Sequence, residues 1–230
     1  MSGLFLTIEG LDGSGKSTLV KSLAPLLPGE VICLREPGGT IFADQVGSFV
    51  RGGGDIKSPP TTPRALRLFS KWQDEGSNLD PEGELLIFNA ARADLVDQVI
   101  APALIEGKTV LLDRFTDSTI AYQGYGRGLP LDHVIDLCRD ASGGLVPDYT
   151  FYLEVSPEER LLRLGTRHLD RIEAAGEDFF ARVARGFEEL VRLDDQRWFC
   201  IDGSKSPDQV AGEALAHLKF ATRPGSAPYN

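Results

Sequence analysis

Residues 10–17 read GLDGSGKS, in which Gly10, Gly15, Lys16 and Ser17 fit the pattern G-x-x-x-x-G-K-[ST]. An apolar run at residues 4–9 (LFLTIE) precedes it. A helical pattern at residues 17–27 follows, with Leu19, Leu23 and Leu26 on one face. A buried strand, a glycine turn and a helix in that order leave few folds open. Glycines let backbone N–H groups turn inward around a phosphate, and the helix start adds its partial positive charge. The lysine reaches the terminal phosphates, and the serine hydroxyl is a ligand for Mg²⁺. Gly10, Leu11, Asp12, Gly13, Ser14, Gly15, Lys16, Ser17 and Thr18 are therefore predicted to cradle a nucleoside triphosphate.

Four further apolar runs recur between helical patterns, at residues 31–34 (VICL), 109–113 (TVLLD), 149–155 (YTFYLEV) and 198–201 (WFCI). Near-continuous apolarity in a strand means burial on both faces. The predicted fold is α/β, a doubly wound parallel five-stranded sheet with helices on both faces and ligands at the carboxyl ends of the strands. A chain of 230 residues suits one domain, placed over residues 1–220. Gly and Pro crowd residues 52–63, and the same texture runs on to residue 83. Residues 52–83 are therefore read as a surface insertion with a short helix at 64–74, dispensable for chemistry. Residues 84–105 read as a longer helix kinked at Pro102, and residues 221–230 as a disordered tail.

The net charge of −10 sets most of the surface against nucleic acid and anionic membranes, so no partner of either kind is expected. No apolar run approaches the roughly 20 residues of a membrane span, and the first ten residues lack a signal peptide's basic start, which points to the cytoplasm. Cys33, Cys138 and Cys200 lie in apolar stretches and are read as reduced thiols in small core positions. His133, His168 and His217 are scattered without metal-ligand spacing. A GTPase would need the guanine-reading N-K-x-D, which is absent. The D-x-x-G matches at Asp80 and Asp140 follow a loop and a helix instead of a strand.

Arg35 follows the second apolar run and Arg114 follows Asp113 at the end of the third, which places all three at the ligand edge of the sheet. A guanidinium fork matches a phosphate there, and Asp113 is placed to hold Mg²⁺ through water. The segments DGSGKST, REPGGT at 35–40, FNAAR at 88–92, DRFTDSTIAYQG at 113–124 and DRIE at 170–173 together resemble thymidylate kinase, a phosphate-loop nucleoside monophosphate kinase family. The resemblance implies transfer of the ATP γ-phosphoryl to dTMP, with Mg²⁺, in a homodimer. It implies that Phe88 stacks on thymine, that Arg92 donates to its O4, and that Arg35, Pro37 and Arg114 flank the acceptor phosphate. Ser118, Thr119, Tyr122 and Gln123 would line the base and deoxyribose side, and Asp12 would face the acceptor. Some members carry an arginine in the phosphate loop where this chain has Gly13. The charge at the reacting centre would then come from Arg163, Arg167 and Arg171 in a lid over residues 157–178. Ser17, Asp113, Asp170 and Glu173 would be the metal-side residues. Kinases of dUMP, dCMP or dGMP remain the nearest alternatives.

Overall fold

The computed structural model describes residues 3–165 and 170–220. Five parallel strands, β1 (Phe5–Glu9), β2 (Val31–Arg35), β3 (Thr109–Asp113), β4 (Tyr149–Glu154) and β5 (Trp198–Asp202), form one sheet in the order β2-β3-β1-β4-β5. The three inner strands are almost wholly buried, as their unbroken apolar sequences require. The register Phe5↔Val110 and Ile8↔Asp113 brings the ends of β1 and β3 level. Arg35↔Asp113 does the same for β2. Glu9, Arg35 and Asp113 thus meet at one edge.

Helix α1 (Lys16–Leu23) starts at Gly15, whose φ of 101° only glycine adopts without strain. It stops earlier than its apolar pattern suggests. Pro25 lies in a 3₁₀ turn (Ala24–Leu26), and the tighter winding swings Leu26 out to 49% exposure while Leu27 takes the core position. Helix α2 (Ile41–Val50) is capped by Thr40, which accepts from the Ala43 amide and donates to Asp94.

Residues 52–83 are not wholly a surface excursion: residues 52–62 are mostly exposed, but the helix that follows them packs one face into the core. Helix α3 (Pro63–Asp74) buries Ala65, Leu68, Phe69 and Trp72, spaced i, i+3, i+4, i+7. They pack against Phe42, Val46 and Val50 of α2 and against Leu86, Ile87 and Ala90 of α4 (Pro81–Leu95). Trp72 also donates to the Asn78 carbonyl at 2.8 Å and meets Phe49 edge-on. Glycines and prolines mark the two ends of this helix, and its apolar stripe belongs to the core.

Helix α4 begins at Asp80, which caps the Gly83 amide, and widens into a π turn (Val96–Ile100) before α5 (Ala101–Ile105). The wide turn accommodates Pro102, which has no N–H to offer the helix ladder. After β3 come a short α6 (Thr116–Thr119), a second π turn (Ile120–Gly126) and α7 (Leu131–Ser142). Helices α8 (Pro157–Leu164), α9 (Glu177–Leu193) and α10 (Pro207–Phe220) complete the fold. The expected tail at residues 221–230, and Arg167 and His168, lie outside the described residues.

Two of the three cysteines depart from expectation. Cys138 is buried, but Cys33 and Cys200 are exposed, because β2 and β5 are the edge strands. Among the described residues no helix is long and apolar enough to cross a membrane.

Replacing Trp72 by Ala should cost about 3–5 kcal/mol, the usual range for a buried tryptophan. For a chain of this size that lowers the melting temperature by on the order of 10 °C. Thermal unfolding of the variant checks this. An unchanged melting point would make α3 an appendage after all.

Candidate functional site

The edge where β1, β2 and β3 end carries two adjoining cavities. The wider, of about 900 Å³, lies over the 10–18 loop and is lined by Lys16, Ser17, Asp113 and Arg163 among others. The narrower, a slot of about 110 Å³, is lined by Phe88, Arg92, Arg114, Tyr122 and Gln123, with Ser118 and Thr119. Asp12, Arg35, Pro37, Arg51 and Asp170 line both, so they form the seam between them.

On the loop side, Lys16 donates to the Leu11 carbonyl at 2.8 Å and is 6% exposed. Burial, and then the charge of Arg114, lowers its ammonium to about 8 against the opposing carboxylates of Asp12, Asp113 and Glu9. Ser17 donates to Asp113 Oδ2 at 2.7 Å, and Asp113 Oδ1 is buried without a hydrogen-bond partner among the described residues. A hydroxyl on one carboxylate oxygen and an unsatisfied second oxygen is a donor set with room for a hard cation. Asp170 and Glu173 line the same cavity but are engaged locally. Asp170 Oδ1 accepts from the Ile172 and Glu173 amides, and Glu173 accepts from the Asp170 amide. Among the described residues no three His, Cys, Asp or Glu side chains gather as a metal cluster. Of the expected four-residue metal set, Ser17 and Asp113 are in direct contact, and Asp170 and Glu173 stand on the wall of the same cavity.

Arg114 stands at φ 73°, a left-handed conformation rare outside glycine. Its amide still closes the ladder onto Ile8, after which the chain turns and the guanidinium reaches back. It donates to Asp12 Oδ1 at 2.7 Å, to the Gly10 carbonyl and to Ser118, and lies over the Tyr122 ring. Burial alone would raise the Asp12 carboxyl, but the Arg114 and Lys16 charges hold it below the ordinary carboxylate range. Asp12 is thus an anion already paired. Tyr122 bonds Asp12 through its hydroxyl and packs its ring among Phe179, Phe180 and Phe187. It serves core and slot together, carried there by the π turn, a feature frequent at functional sites.

The slot's floor is made of paired charge. Arg92, 3% exposed, donates through Nε and Nη2 to Glu36 and through Nη1 to Asn89. Nη2 also reaches the Phe115 carbonyl and Thr119. Every donor of its fork is in use. Burial pushes the Glu36 carboxyl up, and Arg92 opposes that shift. Gln123 donates to Glu84, a carboxylate buried to 1% that also accepts from Arg127 and Arg171.

The lid arginines part company. Arg163 bonds Glu159 and the Gly203 carbonyl and reaches toward the Gly13 and Ser14 carbonyls, which puts it over the loop. Gly13 has φ 86°, and a Cβ there would meet the Arg160 carbonyl at 3.2 Å. Arg171 is held by Glu84 and by the Leu79 carbonyl and lines neither of these two cavities.

Sequence reasoning missed Glu9. Its carboxylate accepts from the Phe115 amide at 2.8 Å and from Ser118 at 2.5 Å. Burial, then the nearby Asp117 charge, pushes it up to about 8, against the pull of Ser118, Arg114 and the Phe115 amide. A carboxylate closing an apolar strand was the available signal.

The thymidylate kinase family model matches residues 55–214. The chain is 39% identical over 220 residues to the thymidylate kinase of Chlorobium luteolum, covering 90% of this chain and 92% of that protein. It is 41% identical over 228 residues to that of Chlorobaculum tepidum, covering 94% and 96%. The crystal structure of thymidylate kinase from Ehrlichia chaffeensis superposes with a TM-score of 0.70 at 29% identity, over 96% of this chain and all of that one.

Because Glu9 keeps its proton in the folded state up to about pH 8, while an unfolded glutamate loses it near 4.5, its contribution to stability is lost as pH rises through that window. The slope is at most about 1.4 kcal/mol per pH unit. Glu9→Gln cannot ionise, so its stability relative to the parent should improve from pH 5 to pH 8. Denaturant titrations at the two pH values measure this, and a pH-independent difference would place the Glu9 proton elsewhere.

Proposed function

We infer the part each residue plays from one fact about the whole: the chain belongs to the thymidylate kinase family, and it transfers the γ-phosphoryl of ATP to dTMP, giving dTDP for dTTP synthesis. The observation that carries the reading is the pair of cavities sharing a seam, one over a phosphate loop and one over an aromatic ring.

ATP occupies the wide cavity, its phosphates against the loop amides and Lys16. Ser17 and Asp113 would hold Mg²⁺, and the unpartnered Asp113 oxygen supports this. When bound, the ion neutralises charge on the β- and γ-phosphates. dTMP occupies the slot, with thymine against Phe88, Ser118 and Thr119 beside it, and Tyr122 and Gln123 along the sugar side. Thymine O4 accepts from Arg92 Nη2 by displacing one of the three acceptors, Glu36, the Phe115 carbonyl and Thr119, that share its two hydrogens.

The acceptor phosphate sits at the seam by Arg35 and Pro37. Its second pKa is about 6, so it is largely dianionic at neutral pH and needs no general base. Catalysis is then positioning and positive charge. Asp12 holds the Arg114 fork in place beside the acceptor, and Arg163 brings lid charge to the loop. Homodimerisation and a cytoplasmic setting belong to the same reading and rest on family membership.

Base preference tests the slot. An arginine donates only, so the cytosine amino group leaves a buried donor unpaired at about 1–3 kcal/mol, or roughly fivefold to a hundredfold. Uracil lacks only the 5-methyl, worth about 0.8 kcal/mol or roughly fourfold. The expected order of kcat/KM is dTMP, then dUMP, then dCMP, with dGMP excluded by size. A preference for dCMP or dGMP would overturn the slot assignment.

A further inference from the structure

Arg51 ends α2 as its capping residue, and at sequence level it is a lone arginine before three glycines. Its side chain is exposed, yet it does not extend away from the helix. It doubles back one turn over Gly47, where a built Cβ would lie 3.3 Å from Nη2 and 3.4 Å from Nη1. The same Cβ would meet the Pro37 carbonyl at 2.9 Å. Glycine at position 47 therefore does two things: it brings α2 against the Pro37 loop and leaves the room in which the Arg51 fork lies.

Arg51 lines both cavities, while Gly47 and Val50 beside it line the slot alone. Of the other seam residues, Asp12 is committed to Arg114, and Asp170 to the amides of Ile172 and Glu173. Among the described residues neither Arg35 nor Arg51 has a hydrogen-bonded or carboxylate partner for its guanidinium. Two uncommitted forks thus stand where a phosphoryl group must cross from one cavity to the other. Arg114, by contrast, already has an anion, a carbonyl and a hydroxyl.

We propose that Arg51, admitted by Gly47, binds the phosphate of the monophosphate substrate and pairs with Arg35 as a second fork on that group. The proposal rests on the reading that the slot holds dTMP. Charge-assisted hydrogen bonds of this kind set the scale of the effect at roughly tenfold to a hundredfold.

The test compares dTMP with thymidine, which keeps the base and sugar and lacks the phosphate. Arg51→Ala should weaken dTMP by about 10–100-fold while thymidine and ADP stay within about threefold of the parent. Arg51→Lys, which keeps charge without the fork, should fall between. Gly47→Ala, checked for folding by circular dichroism and melting temperature, should reproduce the dTMP-selective loss by displacing the guanidinium. Equal losses for dTMP and thymidine would make Arg51 a structural prop, loss of ADP alone would place it on the donor, and no loss would remove it from the site. Each of these overturns the proposal. Phe88→Ala run in parallel should weaken dTMP and thymidine alike. If it weakens neither, the slot assignment itself falls, an outcome separate from any result at position 51.

Discussion

The site hangs on the turn at Arg114. In a regular strand, consecutive side chains point to opposite faces, so Asp113 and Arg114 could not both serve the loop beside β1. The left-handed conformation at Arg114, costing on the order of 1–3 kcal/mol, breaks that alternation. Asp113 meets Ser17 on one side of the loop and Arg114 meets Asp12 on the other. The charge-assisted bonds of Arg114, each worth about 1.5–3 kcal/mol, are enough to offset the strain. They also tie the end of β3, the glycine loop and the π turn into one unit.

Around that unit the buried charges come in matched sets. Arg92 is paired with Glu36. Arg197 is paired with Asp117 and also donates to Thr150, whose hydroxyl meets that of Thr7 across the sheet. Glu84 gathers Gln123, Arg127 and Arg171. Buried pairs of this kind are weak contributors to net stability, because desolvation consumes most of the Coulombic gain. What they supply is fixed geometry: a slot whose hydrogen-bonding groups are oriented before a ligand arrives. The exposed guanidiniums at the seam are the complement, held by the protein in place but not neutralised by it.

Much of this was legible in the residues, and the exceptions share a cause. The five strands and the glycine loop are local patterns, and Arg35, Asp113 and Arg114 gained their placement from the rule that parallel strands end together. The core role of α3 was also written locally, as Ala65, Leu68, Phe69 and Trp72 at helical spacing, but the flanking glycines and prolines drew attention to a loop. The Arg92–Glu36 pair, the Glu84 hub that captures Arg171 and the exposure of Cys33 and Cys200 depend on which elements become neighbours and which become edges. No spacing in one chain encodes that directly. Gly47 was invisible for a simpler reason: a glycine inside a helix reads as a weakness until something is seen lying over it.

The strand order has a consequence in time. β1 is made before the other four strands of its sheet and sits at the centre, yet its partners β3 and β4 are encoded from residues 109 and 149 onward. At a synthesis rate of about 5–20 residues per second, β1 waits on the order of 5–20 seconds before Val110 exists to pair with Phe5. During that interval the strand's apolar faces and unpaired backbone are open to the wrong partners, a hazard that long-range parallel pairing carries by construction. The nascent chain therefore has to keep β1 soluble until about a hundred further residues have been made.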